Sequence, residues 1–171
     1  SISTYLNVPP SFINRPTYRK RVDRVAPENN QQQKIEARSG AAFDVVAMAA
    51  SAGGLSALST VLGGLPGDFP APIAIVQHLD PRHRSLMDQI LGKRTLLDVT
   101  QAEEGDTLEP GCVYVAPPDY HLLVNSDGTL SLSHSEMVHF VRPSADLLFE
   151  SMAASYGEGA IAVVLTGSGS D

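Results

Sequence analysis

The stretch Val45–Leu58, VVAMAASAGGLSAL, holds the main evidence for the fold. A β-branched apolar run stops at a lone serine, two glycines follow, and apolar residues then recur at helical spacing. The run beginning at Phe43, FDVVAMA, reads as a parallel strand buried on both faces. In LSALSTVLGGL the residues Leu55, Leu58, Val61 and Leu62 fall on one helix face, and Gly63 and Gly64 end it. A strand feeding a helix through so tight a turn is the opening unit of an α/β sheet.

The pattern continues outward from there. PIAIV (72–76) is a second buried strand, and RHRSLMDQILGK (82–93) a second helix with Leu86, Ile90 and Leu91 turned inward. CVYVAPP (112–118) is a strand closed by prolines. HLLVNSDGTLSLS (121–133) is a hairpin around Asp127-Gly128. RPSADLLFESMAASYG (142–157) is a third helix, with Ser144 as N-cap and Gly157 as C-cap. AIAVVLT (160–166) is a last buried strand before the turn GSGSD. The expected fold is a doubly wound, mostly parallel α/β sheet of three layers, Rossmann-like, with an antiparallel β-hairpin excursion. An open sheet of this kind continues with another helix and strand, so a C-terminal part is expected to be missing. Residues 43–171 form the expected catalytic domain and residues 1–42 a flexible tail or linker, polar and of low complexity in VAPENNQQQKIEARSG.

Composition bounds the function. The 171 residues are 43% hydrophobic and 18% charged, as in a globular domain. Seven basic and three acidic residues give 1–40 a net charge of +4, whereas five basic and sixteen acidic residues give 41–171 a net charge of −11. A domain so acidic is a poor nucleic-acid binder. No apolar run reaches the roughly 18 residues of a membrane helix, and no secretory signal is present, so a cytoplasmic protein without membrane insertion is expected. A single cysteine, Cys112, excludes an internal disulfide and a thiolate cluster.

In open α/β sheets sites form beyond the carboxyl ends of the strands. Three loops meet that condition, at Ser51, at Gln77-His78 and at Thr166–Asp171. Ala49-Ala50-Ser51-Ala52-Gly53 is a nucleophile-elbow pattern with alanine at the first glycine position. Read by itself, it equally suits an N-cap serine. His78 follows the second strand, 27 residues after Ser51, about one crossover unit away. Imidazole accepts a proton from serine near neutral pH, and an acid such as Asp171 can fix its tautomer. Each residue alone also fits a structural role; the three strand ends together favour Ser-His-Asp chemistry. A dinucleotide fold would need G-x-G-x-x-G and a P-loop would need GK[ST]. Neither occurs, and His83, His121, His134 and His139 show no metal-ligand spacing, so no cofactor and no metal is expected.

Taken in order, VVAMAASAGGLSALSTVLGGLP, IAIVQHLDPRHRSLM, QAEEGDTLEPGCVYVAPPDYHLLV, RPSADLLFESMA and AIAVVLTGSGSD resemble the catalytic domain of the CheB-type chemotaxis receptor methylesterases. The resemblance implies hydrolysis of glutamate methyl esters on chemoreceptors, with deamidation of certain glutamines. It implies Ser51 as nucleophile, His78 as base and Asp171 as orienting acid. Backbone N–H groups of Ala52 and Ser168 would form the oxyanion hole, and His121 and Arg142 would line the substrate cleft. The implied partners are the cytoplasmic helices of methyl-accepting chemoreceptors and a receiver domain or methyltransferase in cis or trans. Three features depart from the family pattern: Ala49 stands for a glycine, Ser168 stands for the methionine of the last turn, and residues 1–42 are too short for the receiver domain that usually precedes the catalytic domain. The first two leave open an inactive binding module of the same fold, and an esterase for small molecules is the other alternative.

Overall fold

The computed structural model describes residues 43–51, 53–77, 85–138 and 141–166. The tail assigned to residues 1–42 lies outside them.

The sheet is built from β1 (Val45–Ala50), β2 (Ile73–Gln77), β3 (Asp98–Gln101), β4 (Cys112–Val115) and β7 (Ala160–Thr166). Their order is β3-β4-β2-β1-β7, and every pairing is parallel. β5 (His121–Val124) and β6 (Leu130–Ser133) form a separate antiparallel pair. Among the described residues three α-helices accompany the sheet: α1 (Gly54–Gly63), α2 (Met87–Gly92) and α3 (Ala145–Tyr156).

Alternation along the strands sorts the core into two halves. Val45, Ala47 and Ala49 of β1 point with Ala74 and Val76 of β2 toward α3 and the hairpin, against Leu148, Met152, Leu122 and Leu130. Val46, Met48 and Ala50 point with Ile73 and Ile75 the other way, against Leu58 and Leu62 of α1 and Met87 and Leu91 of α2. β1 is buried throughout, which explains why its sequence is a continuous apolar run rather than an alternating one. This is the expected three-layer α/β architecture with its hairpin excursion.

Four details differ from the sequence reading. β7, expected as a buried strand, is half-exposed, with Ile161, Ala162 and Val164 open to solvent, because among the described residues only β1 pairs with it. β3, DVTQ, had no counterpart in it; as an edge strand with one neighbour it carries no apolar run. The described part of the second helix starts at Met87, and its inward face is Met87 and Leu91; Leu86 and Ile90 are exposed. Ser144 does occupy the N-cap of α3, but its hydroxyl makes no capping bond. Among the described residues no helix is long and apolar enough to cross a membrane.

Candidate active site

β1 pairs with β2 on one side and β7 on the other, so three strand ends meet at one edge: Ala50 is opposite both Gln77 and Thr166. The residue after Ala50 is Ser51, the residue after Gln77 is His78, and Asp171 lies five positions beyond Thr166. The neighbourhood of β1 and β2 on which the hydrolase reading depends is therefore present. Ser51 is half-buried; His78, Asp171, Ala52 and Ser168 lie outside the described residues.

The turn at Ser51 has a physical cause in each glycine. Its carbonyl accepts the Gly54 N–H at 2.8 Å, closing the chain back on itself. Gly53, the N-cap of α1, has φ +77, a left-handed conformation costly for residues with a Cβ, although space around it is open. Gly54 is the reverse case. A Cβ there would lie 2.6 Å from Ala50 Cβ and 3.3 Å from Gln77 Cδ. One glycine supplies the backbone turn, the other lets α1 start directly on top of the strand ends. On the far side, β7 places Val164 opposite Ala49 and Thr166 opposite Ala50, one residue too many for regular pairing. Such a bulge bends the end of the strand locally.

His121 and Arg142 hold the neighbouring loops. His121 is fully buried; its Nδ1 accepts the Ser144 N–H at 3.1 Å, so the proton sits on Nε2 and is donated to the Glu136 carbonyl at 3.1 Å. In this arrangement both ring nitrogens are engaged, and the ring joins the start of α3 to the segment after β6. Arg142 donates from Nε and Nη2 to Asp119 Oδ1, at 2.9 and 2.6 Å, and from Nη1 to the Ser135 carbonyl at 2.6 Å. Asp119 Oδ2 contacts His134 Nε2 at 2.9 Å. Hydrogen bonds from His134 and Arg142 hold the Asp119 carboxyl below the usual carboxylate range. Its backbone is in the left-handed region, φ 64. Asp119 follows β4 by four residues, so this knot stands at the carboxyl edge of the sheet, two strands from β1.

Sequence reasoning missed Asp119 because PPDY reads only as a turn. It also passed over Gln77, whose side chain lies beneath the first turn of α1 and whose Oε1 is buried without a hydrogen-bond partner.

The CheB methylesterase family model matches residues 46–171, most of the chain. The chain belongs to that family. A "Protein-glutamate methylesterase/protein-glutamine glutaminase 4" of Myxococcus xanthus is 44% identical over 127 residues, covering 74% of this chain and 36% of that protein. The "Protein-glutamate methylesterase FrzG" of Myxococcus xanthus is 39% identical over 152 residues, 89% of this chain and 46% of that one. A relative in Leptospira interrogans is 43% identical over 129 residues, 75% of this chain and 67% of its own length. The chain thus spans less than half of the two Myxococcus proteins and about two thirds of the Leptospira one. The crystal structure of the Thermotoga maritima CheB methylesterase catalytic domain superposes with a TM-score of 0.72 at 36% identity, covering 77% of this chain and 71% of that one. The CheB fold and the sheet described above are accordingly the same arrangement.

Proposed function

We propose that this chain hydrolyses glutamate γ-methyl esters on the cytoplasmic helices of chemoreceptors, releasing methanol, and deamidates glutamines at such sites. The observation that carries the reading is the convergence of the β1, β2 and β7 ends on the Ser51 turn, in a chain whose family relatives are named for this activity. Ser51 Oγ attacks the ester carbonyl as His78 takes its proton. Backbone N–H groups of Ala52 and Ser168 hold the tetrahedral oxyanion. His78 then protonates the departing methanol, and water cleaves the acyl-enzyme by the same route. Asp171 holds the imidazole in the working tautomer. The reaction takes place in the cytoplasm, with a receiver domain or a methyltransferase, in cis or trans, as a further partner.

Methanol release from a methylated receptor fragment tests this. Ser51→Ala is expected to lower the rate by roughly 10³-fold or more, and Asp171→Asn by roughly 10⁴-fold. Unchanged turnover in Ser51→Ala refutes the serine mechanism. A fluorophosphonate probe that labels Ser51 separates an enzyme from an inactive module. Turnover of a nitrophenyl ester without turnover of the receptor fragment marks a small-molecule esterase instead.

A further inference from the structure

Beside the Ser51 turn lies an open groove of about 420 Å³, lined by Gly53, Gly54, Leu55, Ser56, Gln77 and Arg94. Its position ties it to the candidate nucleophile: two of its wall residues are the glycines that shape the Ser51 turn, and Gln77 is the strand-end partner of Ala50. Its volume is that of a small-molecule pocket and is ample for one side chain. Gly53, with open space around it, adds no side chain to the wall.

Three cations occur among the described residues: Lys93, Arg94 and Arg142. Arg142 is committed to Asp119. Lys93 does not line the groove. Arg94 does, is exposed, and has no carboxylate partner among the described residues. A guanidinium that meets no carboxylate among the described residues is notable in a segment whose net charge is −11. That field repels an acidic partner, so a local cation beside the nucleophile turn decides where such a partner can settle. The substrate class supplies the complementary charge. Each glutamyl ester that has been hydrolysed is a carboxylate, so a helix with several such sites displays carboxylates next to esters. On a helix, residues three or four apart lie about 5–6 Å from each other on one face.

We propose that the groove receives an acidic side chain of the substrate helix on Arg94, and so selects which neighbouring glutamyl ester is presented to Ser51. This rests on the methylesterase reading, but the docking step can be measured apart from the chemistry.

The probe is a synthetic helical peptide with one γ-methyl glutamyl ester and a glutamate four residues away, titrated by fluorescence anisotropy against the full chain in a Ser51→Ala background. Adding Arg94→Ala is expected to weaken binding about twofold to fivefold at low salt, and Arg94→Glu more. Arg94→Lys restores part of the affinity, and the difference shrinks at high salt. Changing the peptide glutamate to glutamine should weaken binding to the Arg94 protein and have no added effect once Arg94 is alanine. In turnover the same change should appear in KM with kcat unaltered, while Lys93→Ala behaves as wild type. Equal affinity with and without Arg94, or additive losses from the two changes, overturns the proposal. Binding that depends on Arg94 with no methanol released by the wild type overturns the hydrolase reading and leaves the groove standing.

Discussion

Gly53 and Gly54 illustrate how two identical residues answer different constraints. At Gly53 the requirement is a backbone angle, and at Gly54 it is room. Gly53→Ala should cost about 1–2 kcal/mol through the left-handed conformation. Gly54→Ala should cost about 1–3 kcal/mol, because Ala50 Cβ belongs to a buried strand and cannot move aside. Urea unfolding distinguishes the two when Ala50→Gly is added. The smaller neighbour relieves the Gly54 variant and leaves the Gly53 variant unchanged. Asp119 offers a pH test. Its folded carboxyl titrates below its unfolded value, first through His134 and then through Arg142. The stability it contributes is therefore present above the ordinary aspartate pKa of about 3.9 and disappears as pH falls below it. The difference in urea midpoint between wild type and Asp119→Asn should be largest near neutrality and shrink in acid. A difference that is constant with pH would show that the ionised carboxylate has no part in holding the knot.

At the scale of elements, what the sequence made legible follows from burial. β1, β2 and β4 were readable as buried apolar runs, and α1 as a stripe ended by paired glycines; β7 was readable as a strand although its apolar run is half-exposed. β3 was not, since an edge strand needs no apolar run. α2 was readable as a helix but not in phase: SLMDQIL holds four apolar residues within six, and periodicity over so short a span does not choose among them. The packing does. Leu91→Ala should cost about 2–5 kcal/mol in unfolding free energy, as for a buried leucine, whereas Leu86→Ala and Ile90→Ala should each cost under about 1 kcal/mol. The meeting of three strand ends was legible because the sheet rule aligns parallel strands at one edge. The contacts of His121 and Asp119 were not, because their partners come from distant segments. Tyr114 of β4 is a similar case. Its hydroxyl donates to the Thr107 carbonyl at 2.7 Å and accepts the Glu109 N–H at 3.2 Å, and burial drives its pKa upward. The folded state favours the protonated ring, so this contribution holds below the unfolded tyrosine pKa of about 10 and falls away above it. Tyr114→Phe should lose about 1 kcal/mol of stability at pH 7 and show a weaker decline in alkali.

For the whole molecule, the two edges of the sheet are managed differently. β3 ends the sheet with Asp98 and Gln101 exposed, and a charged edge resists pairing with another chain. Among the described residues β7 ends the other side with AIAVVLT, which carries no charge. Val164 is 70% exposed and Ile161 37%, on opposite faces because they stand opposite Ala49 and Val46. An apolar edge of this kind is a template for association. Val164→Lys on β7 should change the unfolding free energy in urea by under about 0.5 kcal/mol, because the side chain is already open to solvent. Val46→Lys, on the neighbouring strand and buried, should cost about 3 kcal/mol or more, since it takes a charge into the core. A loss in Val164→Lys as large as that in Val46→Lys would mean that this edge is covered in solution.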